Sequence, residues 1–387
     1  MGILSNTTSI FQFQVNGKLP EKNHEQWIAE QVQKQCFRPI DETPDEESVG
    51  WTFLEDSRAT DFDTDRSFLR DRYVALALRR DQRKVPATLL KNHVKDMEEQ
   101  FMAAHPGMRW VPRDRLKEIR EEVHAVLLAK TFPTPTMVDL IWDTQRKLVS
   151  ITSLSLSTID LMQSIFKETF PGLSIVAMHP YARAEKVADS SLRSTLQKAN
   201  GAVEEDVVSH IKGNRWLGRD FMLWLLHNTA KGNHDYPICV PGPRGKDELF
   251  TSYIEDRIVL KKERESGDQK IAITGPPEDF GEARKALQTG KEIEEAAIAF
   301  ELGEQTWKLT LKGELFAFAS LKCPKVQIET GDSVDEMMER MGYFFERMSL
   351  VETGLQLFDS LYKSFLAERL GGAWSKRAAA MKKWAGG

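Results

Sequence analysis

The sequence predicts an α+β fold of antiparallel sheets, long helices and a helical carboxyl-terminal region. Three observations predict it. Short runs such as Ile10-Phe-Gln-Phe-Gln-Val15 alternate apolar and polar residues, the period of a half-buried strand. Longer stretches after Pro86 and after Val334 repeat apolar residues at three- and four-residue steps, the period of a helix face. A hairpin–helix–strand order occurs twice, once from Met137 and once from Arg257.

Taken in order, Ile10–Val15 reads as a strand, Glu25–Gln35 as a helix and Tyr73–Leu78 as a buried strand running into Arg79-Arg80. Pro86 opens a helix with Leu89, Leu90, Val94, Met97 and Phe101 on its apolar face. His105-Pro106-Gly107 is a turn, and a second helix starts near Pro112, placing Leu116, Ile119, Val123 and Val126-Leu127 on a core. Met137–Trp142 and Leu148–Ser153 flank Asp143–Lys147 as a hairpin. A helix with Ile159, Met162, Ile165 and Phe166 follows and stops at Pro171-Gly172, before a strand at Ser174–Met178. The second set comprises Arg257–Lys262, a Ser266-Gly267 turn, Lys270–Thr274, a helix opened by Pro276-Pro277, and Glu292–Leu302. From Val334 to Leu370 an apolar stripe runs through Met337, Met341, Phe344, Met348, Val351, Leu355, Phe358, Leu361 and Phe365. It fits a core-facing helix pair broken at Gly342 or Gly354, or a contact with a second copy, and Gly371-Gly372 ends it.

With 387 residues, 41% of them hydrophobic, the chain has material for two or three domains and is no disordered polymer. Cys36, Cys239 and Cys323 are odd in number and far apart, which fits a reducing compartment better than a disulfide scaffold. The amino terminus lacks a basic segment followed by an apolar one, and Asn6 stands where a myristoylation signal needs Ser or Thr. No apolar run approaches a membrane span. The expectation is a soluble cytoplasmic protein without membrane attachment. A net charge of −5 argues against a nucleic-acid partner until it is resolved along the chain: residues 41–71 carry −8, residues 72–130 carry +5, and residues 371–387 carry +4.

Most catalytic patterns fail on single residues. Gly245-Lys246 lacks the first glycine and the hydroxyl of a phosphate loop, with Val240 and Asp247 in those places. Asp61-Phe-Asp63-Thr-Asp65 begins like a calcium loop, but Arg66 and Arg72 occupy the glycine and glutamate positions. His227, His234 and Cys239 match no zinc spacing, and no Gly-x-Ser-x-Gly elbow exists. Asp256, Asp268 and Lys270 imitate the acid–acid-x-lysine order of magnesium-dependent nucleases, against the simpler reading of Asp268 as a turn residue. No metal or other cofactor is expected.

Binding patterns are better formed. In Glu304–Lys312, alternation sets Trp307, Leu309 and Leu311 on one face and Lys308, Thr310 and Lys312 on the other. Such a face suits phosphate contact driven by charge, although an ordinary solvated sheet face has the same pattern. Arg79, Arg80, Arg83 and Lys84, with Lys261 and Lys262, add basic clusters at strand ends.

Together these segments resemble the recombination-associated RdgC family. The resemblance is carried in order by the Phe-rich first strand, Cys36-Phe-Arg-Pro39, Val49-Gly50-Trp51, Lys84-Val85-Pro86, Leu127-Leu-Ala-Lys130-Thr-Phe132 and Val138-Asp-Leu-Ile-Trp142-Asp143. Val259-Leu-Lys261-Lys262, Gly290-Lys291 and the Trp307 strand continue it, so it spans roughly residues 8–180 and 250–365. It implies a non-enzymatic horseshoe subunit that pairs into a ring-shaped homodimer around a basic hole. It also implies binding to double-stranded DNA without sequence preference, which restrains a RecA-type recombinase by occupying DNA. Lys130 and Phe132 match a gate where subunit tips meet, and Lys261-Lys262 match a pair lining the hole, followed here by Glu263. Location would be cytoplasmic and nucleoid-associated.

The implied organisation is an amino-terminal α+β part (1–80), a helical tip or gate (81–136), a hairpin–helix–strand unit (137–180) and an insertion (181–250). A second sheet unit with a basic face (251–332) and carboxyl-terminal helices with a basic tail (333–387) complete it. The alternatives left open are the magnesium-dependent nuclease and a protein-interaction module that does not touch DNA.

Overall fold

A computed structural model describes residues 2–204, 206–263, 267–275, 280–327 and 336–386. Along the chain run β1 (Thr7–Asn16), α1 (His24–Lys34), β2 (Glu47–Phe53), β3 (Leu69–Arg70), β4 (Tyr73–Gln82), α2 (Ala87–Ala104), α3 (Arg113–Ala129), β5 (Thr134–Asp143), β6 (Leu148–Ile151), α4 (Leu156–Thr169) and β7 (Ser174–Ala177). There follow α5 (Pro180–Val187), α6 (Ser190–Lys198), α7 (Val207–Gly213), α8 (Arg215–Ala230), β8 (Asp235–Pro237), β9 (Leu249–Lys262), β10 (Gln269–Thr274), α9 (Gly281–Gln288), β11 (Glu292–Leu302), β12 (Gln305–Lys312), β13 (Ala317–Lys322), α10 (Glu336–Arg369) and α11 (Trp374–Gly386). The α+β reading holds. The Ser266 half of the predicted turn, the Pro276-Pro277 helix opening and Val334 lie outside the described residues.

The chain divides into two units. One comprises residues 18–141 and 165–172; the other comprises residues 1–17, 142–164 and 173–387. In the smaller unit, β2 pairs antiparallel with β4 from Glu47↔Gln82 to Phe53↔Leu76, and β5 flanks β4. Trp51 is fully buried and donates its indole N–H to the Thr169 hydroxyl at 2.8 Å. Phe53 stacks on Phe62, and Phe68 meets both rings edge-on. The Cys36-Phe37 and Val49-Gly50-Trp51 segments meet because the Phe37 N–H donates to the Trp51 carbonyl. Gly50 is required there, since a Cβ would lie 2.4 Å from the Phe37 Cα. Helices α2 and α3 form a hairpin in which Leu90, Val94, Met97 and Phe101 lean on Ile119, Val123 and Leu127. Leu89 and Val126, predicted on the apolar faces, are instead exposed, because a two-helix hairpin covers only one side of each helix.

The larger unit carries an antiparallel sheet in the order β10-β9-β11-β12-β13-β1-β6, with β7 beside β1 and β8 beside β9. The repeated element order is present, but its pairings differ: β7 returns to β1, whereas β11 returns to β9. Helix α10 is one continuous helix of 34 residues rather than a broken pair. From Phe344 to Leu366 its buried residues point in nearly every direction, so it is a core helix and not a one-sided stripe. Its two glycines are not equivalent. Gly342 faces open space, whereas a Cβ on Gly354 would lie 2.9 Å from Trp307 Cδ1. The indole cannot step aside freely, because its N–H donates to the Leu350 carbonyl at 2.8 Å.

At the start of α5, His179 occupies the N-cap, is buried, and accepts from the Ala182 N–H. Burial, reinforced by His210, pulls its imidazolium down to about 4 from the ordinary 6.5. The neutral ring therefore stabilises the fold above pH 6.5, and that contribution is lost as pH falls toward 4.

Two predictions follow from this packing. Gly342→Ala is expected to stabilise the protein by about 0.5–1 kcal/mol through helix propensity. Gly354→Ala should destabilise it by about 1–3 kcal/mol through overpacking. Denaturant unfolding of both variants measures the contrast, and equal effects would refute the account. Between pH 7 and pH 4 the wild type should lose about 3 kcal/mol more stability than His179→Asn, which replaces the Nδ1 cap acceptor with an amide oxygen that does not titrate. Parallel stability–pH curves would exclude His179 as the cause.

Candidate nucleic-acid interface

The sheet face read from Glu304–Lys312 is built as expected on β12: Trp307, Leu309 and Leu311 are buried, while Lys308 and Lys312 are exposed. Cross-strand pairing nevertheless changes its charge. Lys308 contacts the Glu255 carboxylate on β9, and Lys312 lies 4.0 Å from Glu295 on β11. Lys322, opposite Lys308 on β13, is exposed as well. The face mixes lysines with carboxylates and is not uniformly basic.

Lys261 and Lys262 end β9 and line a cleft of about 310 Å³. Arg215 and Arg219, one turn apart on α8, line the same cleft. Helix α8 comes this close because Gly218 sits between the two arginines, where a Cβ would lie 2.2 Å from the Gly313 carbonyl oxygen. Each arginine meets acid. Arg215 bonds Glu314 at 2.6 Å and Glu263 at 3.3 Å, and Arg219 contacts Glu292. Lys261 bonds Asp268 at 2.8 Å, and that carboxylate holds its ammonium above the usual range. Lys262 donates to the Thr289 carbonyl at 2.7 Å, in the turn that contains Gly290-Lys291. Four cations thus face Glu263, Glu292, Glu294 and Glu314. Arg215 and Arg219 escaped the sequence reading because they lie in the segment set aside as an insertion. Their i, i+4 spacing around Gly218 is the signal that could have found them.

In the smaller unit, three members of the Arg79–Lys84 cluster serve the fold. Arg79 makes a fork to Asp81 at 2.7 and 2.8 Å and lies over the Phe37 ring. Arg80 bonds Glu47 at 2.5 Å across the β2–β4 pair. Arg83 is buried and donates to the Ile40 and Asp41 carbonyls. Lys84 is exposed, Lys130 ends α3, and the Phe132 ring is 85% exposed.

The nuclease-like trio is not brought together. The register runs from Gln269↔Lys262 to Thr274↔Arg257, which leaves Asp268 and Asp256 at opposite ends of the β9–β10 pair, separated by roughly 20 Å of strand. Asp268 is engaged by Lys261, and Lys270 bonds Glu294 at 2.7 Å. Among the described residues no three His, Cys, Asp or Glu side chains gather to hold a metal ion, and no helix is long and apolar enough to cross a membrane. The Asp61 carboxylate bonds Thr64 within its own turn.

The larger unit is thus an antiparallel α+β scaffold with carboxylate-paired cations in a cleft and exposed lysines outside it. A sequence model of the RdgC family, described as "Putative exonuclease, RdgC", matches residues 7–200, and the chain belongs to that recombination-associated family. The match includes β1 and the whole smaller unit, and ends before Lys261-Lys262 and the Trp307 strand. No curated protein matches the chain.

Proposed function

We propose that this protein binds double-stranded DNA without sequence preference, as a ring-shaped homodimer, and modulates homologous recombination by occupying DNA and restraining a RecA-type recombinase. The observation that carries the reading is membership of the recombination-associated RdgC family. Its site would be the Lys261-Lys262 cleft with Arg215 and Arg219, aided by Lys308, Lys312 and Lys84. Arg79, Arg80 and Arg83 would act by shaping the strand end behind Lys84. In the cleft a DNA phosphate must exchange with a carboxylate already in place, so net attraction there is small. Long-range attraction then falls to Lys84, which acts on the Glu47 carboxylate without an ion-pair contact, and to exposed lysines with no carboxylate partner among the described residues, such as Lys130, Lys376, Lys382 and Lys383. Backbone contact leaves base edges unread, which accounts for weak sequence preference. Work on cytoplasmic, nucleoid-associated DNA is the setting this function implies.

In a gel-shift series at rising salt, Lys261→Ala with Lys262→Ala should weaken binding equally on unrelated duplexes and lower the salt slope by about 2. Magnesium should leave the labelled DNA intact. A loss confined to one sequence would refute backbone contact. Absence of duplex binding at low salt would favour a protein-interaction module, and cleavage abolished by Asp268→Ala would favour a nuclease. For the gate, Phe132→Ala should shift the solution mass toward monomer with an unchanged melting temperature, since so exposed a ring adds little to the core. An unaltered dimer would remove Phe132 from the interface.

A further inference from the structure

A second cleft, of about 500 Å³, lies in the larger unit where the α5–α6 junction meets the Cys239–Pro241 segment and α10. Its charged lining comprises Arg146, Lys186, Arg193 and Lys363 against Asp189 and Asp359. Both carboxylates are already engaged. Asp189 bonds Lys363 at 2.7 Å, and Asp359 is gripped by the buried Arg183, which lies behind the cleft wall. Arg146 bonds Glu352 at 3.0 Å. Among the described residues Lys186 and Arg193 have no carboxylate within ion-pair distance, and Arg193 donates only to the Ala188 carbonyl at 3.3 Å. The Ser190 residue that begins α6 completes the wall between them.

The contrast with the Lys261 cleft is direct. There four cations face four carboxylates; here two cations are left over in a cavity of the size that holds small organic ligands. We infer that this cleft binds a phosphate monoester dianion, held chiefly by Lys186 and Arg193. An arginine fork and a lysine point charge are complementary partners for one phosphate group. Burial draws the Lys186 ammonium down to about 8, with Arg183 and Arg146 adding to the effect and Asp359 and Asp143 opposing it. Asp359 and Asp143 do not fully offset burial and the neighbouring guanidinium groups, a deficit that a bound dianion would make up. The inference is independent of the duplex-binding reading and survives its failure.

The test uses the full chain and inorganic phosphate at pH 7, titrated by calorimetry. Saturable one-to-one binding is expected, weakened about tenfold or more in Lys186→Gln with Arg193→Gln. It should be unchanged in Lys22→Gln with Lys231→Gln, a charge-matched control at exposed lysines outside both clefts. No saturable heat up to about 10 mM phosphate, or equal losses in both pairs, would overturn the site. A second measurement needs no variant: phosphate should slow acetylation of Lys186, read by mass spectrometry, and an unchanged rate would equally overturn it. A short oligonucleotide carrying a 5′-phosphate, compared with its 5′-hydroxyl twin, identifies the source. Competition by the phosphorylated strand alone assigns the cleft to a DNA end. Competition by neither, with phosphate still bound, assigns it to a small metabolite.

Discussion

The contact between Trp307 and Gly354 sets how the larger unit is built. The indole projects from β12 onto Gly354, where α10 presents no side chain, and its N–H bonds a carbonyl one turn earlier in that helix. The helix can therefore lie close against the sheet and bury residues on most of its circumference from Phe344 to Leu366. Such burial needs its polar groups satisfied. Arg347 donates to the Ile3 carbonyl, Gln356 to the Val240 and Arg244 carbonyls, and Tyr362 to the Pro180 carbonyl. One helix thus organises the amino terminus, the loop after β8 and the start of α5.

Charge separated along the sequence is partly recombined in space. The acidic stretch 41–71 and the basic stretch that follows look like opposed surfaces when counted, yet β2 and β4 pair antiparallel, and Glu47 lands against Arg80. Within the acidic stretch itself, Glu55 takes Arg70 at 3.0 Å. The cations that remain available to a polyanion are those that no strand register assigns a partner, a property of folding rather than composition.

Strands and helices were legible wherever periodicity alone decides them, as in Tyr73–Leu78, Glu292–Leu302 and the Trp307 strand. Continuity of α10 was not, because Gly342 and Gly354 are identical letters with different surroundings. The nuclease-like order of Asp256, Asp268 and Lys270 misleads for a related reason: linear proximity within a hairpin places its two outer residues far apart. The Lys261-Lys262 pair was visible as a motif. Its companions Arg215 and Arg219 were not, since they reach the cleft from a helix more than forty residues earlier. Lys186 and Arg193 carried no motif at all; what distinguishes them is that, among the described residues, no carboxylate lies within ion-pair distance of either.

The pairing of β1 with β13 has a consequence for biosynthesis. Thr7 aligns with Lys322, so the first strand made must wait for almost the last. At roughly 5–20 residues per second, that interval is about 15–60 s, during which an alternating, Phe-rich strand has no edge partner on one side. Most of the smaller unit is meanwhile complete by Ile141 and draws on largely local contacts. Pairing with β6 and β7 covers the later part of β1 once residue 177 is made, so Thr7–Ile10 is the part of that strand left unpaired until synthesis reaches β13.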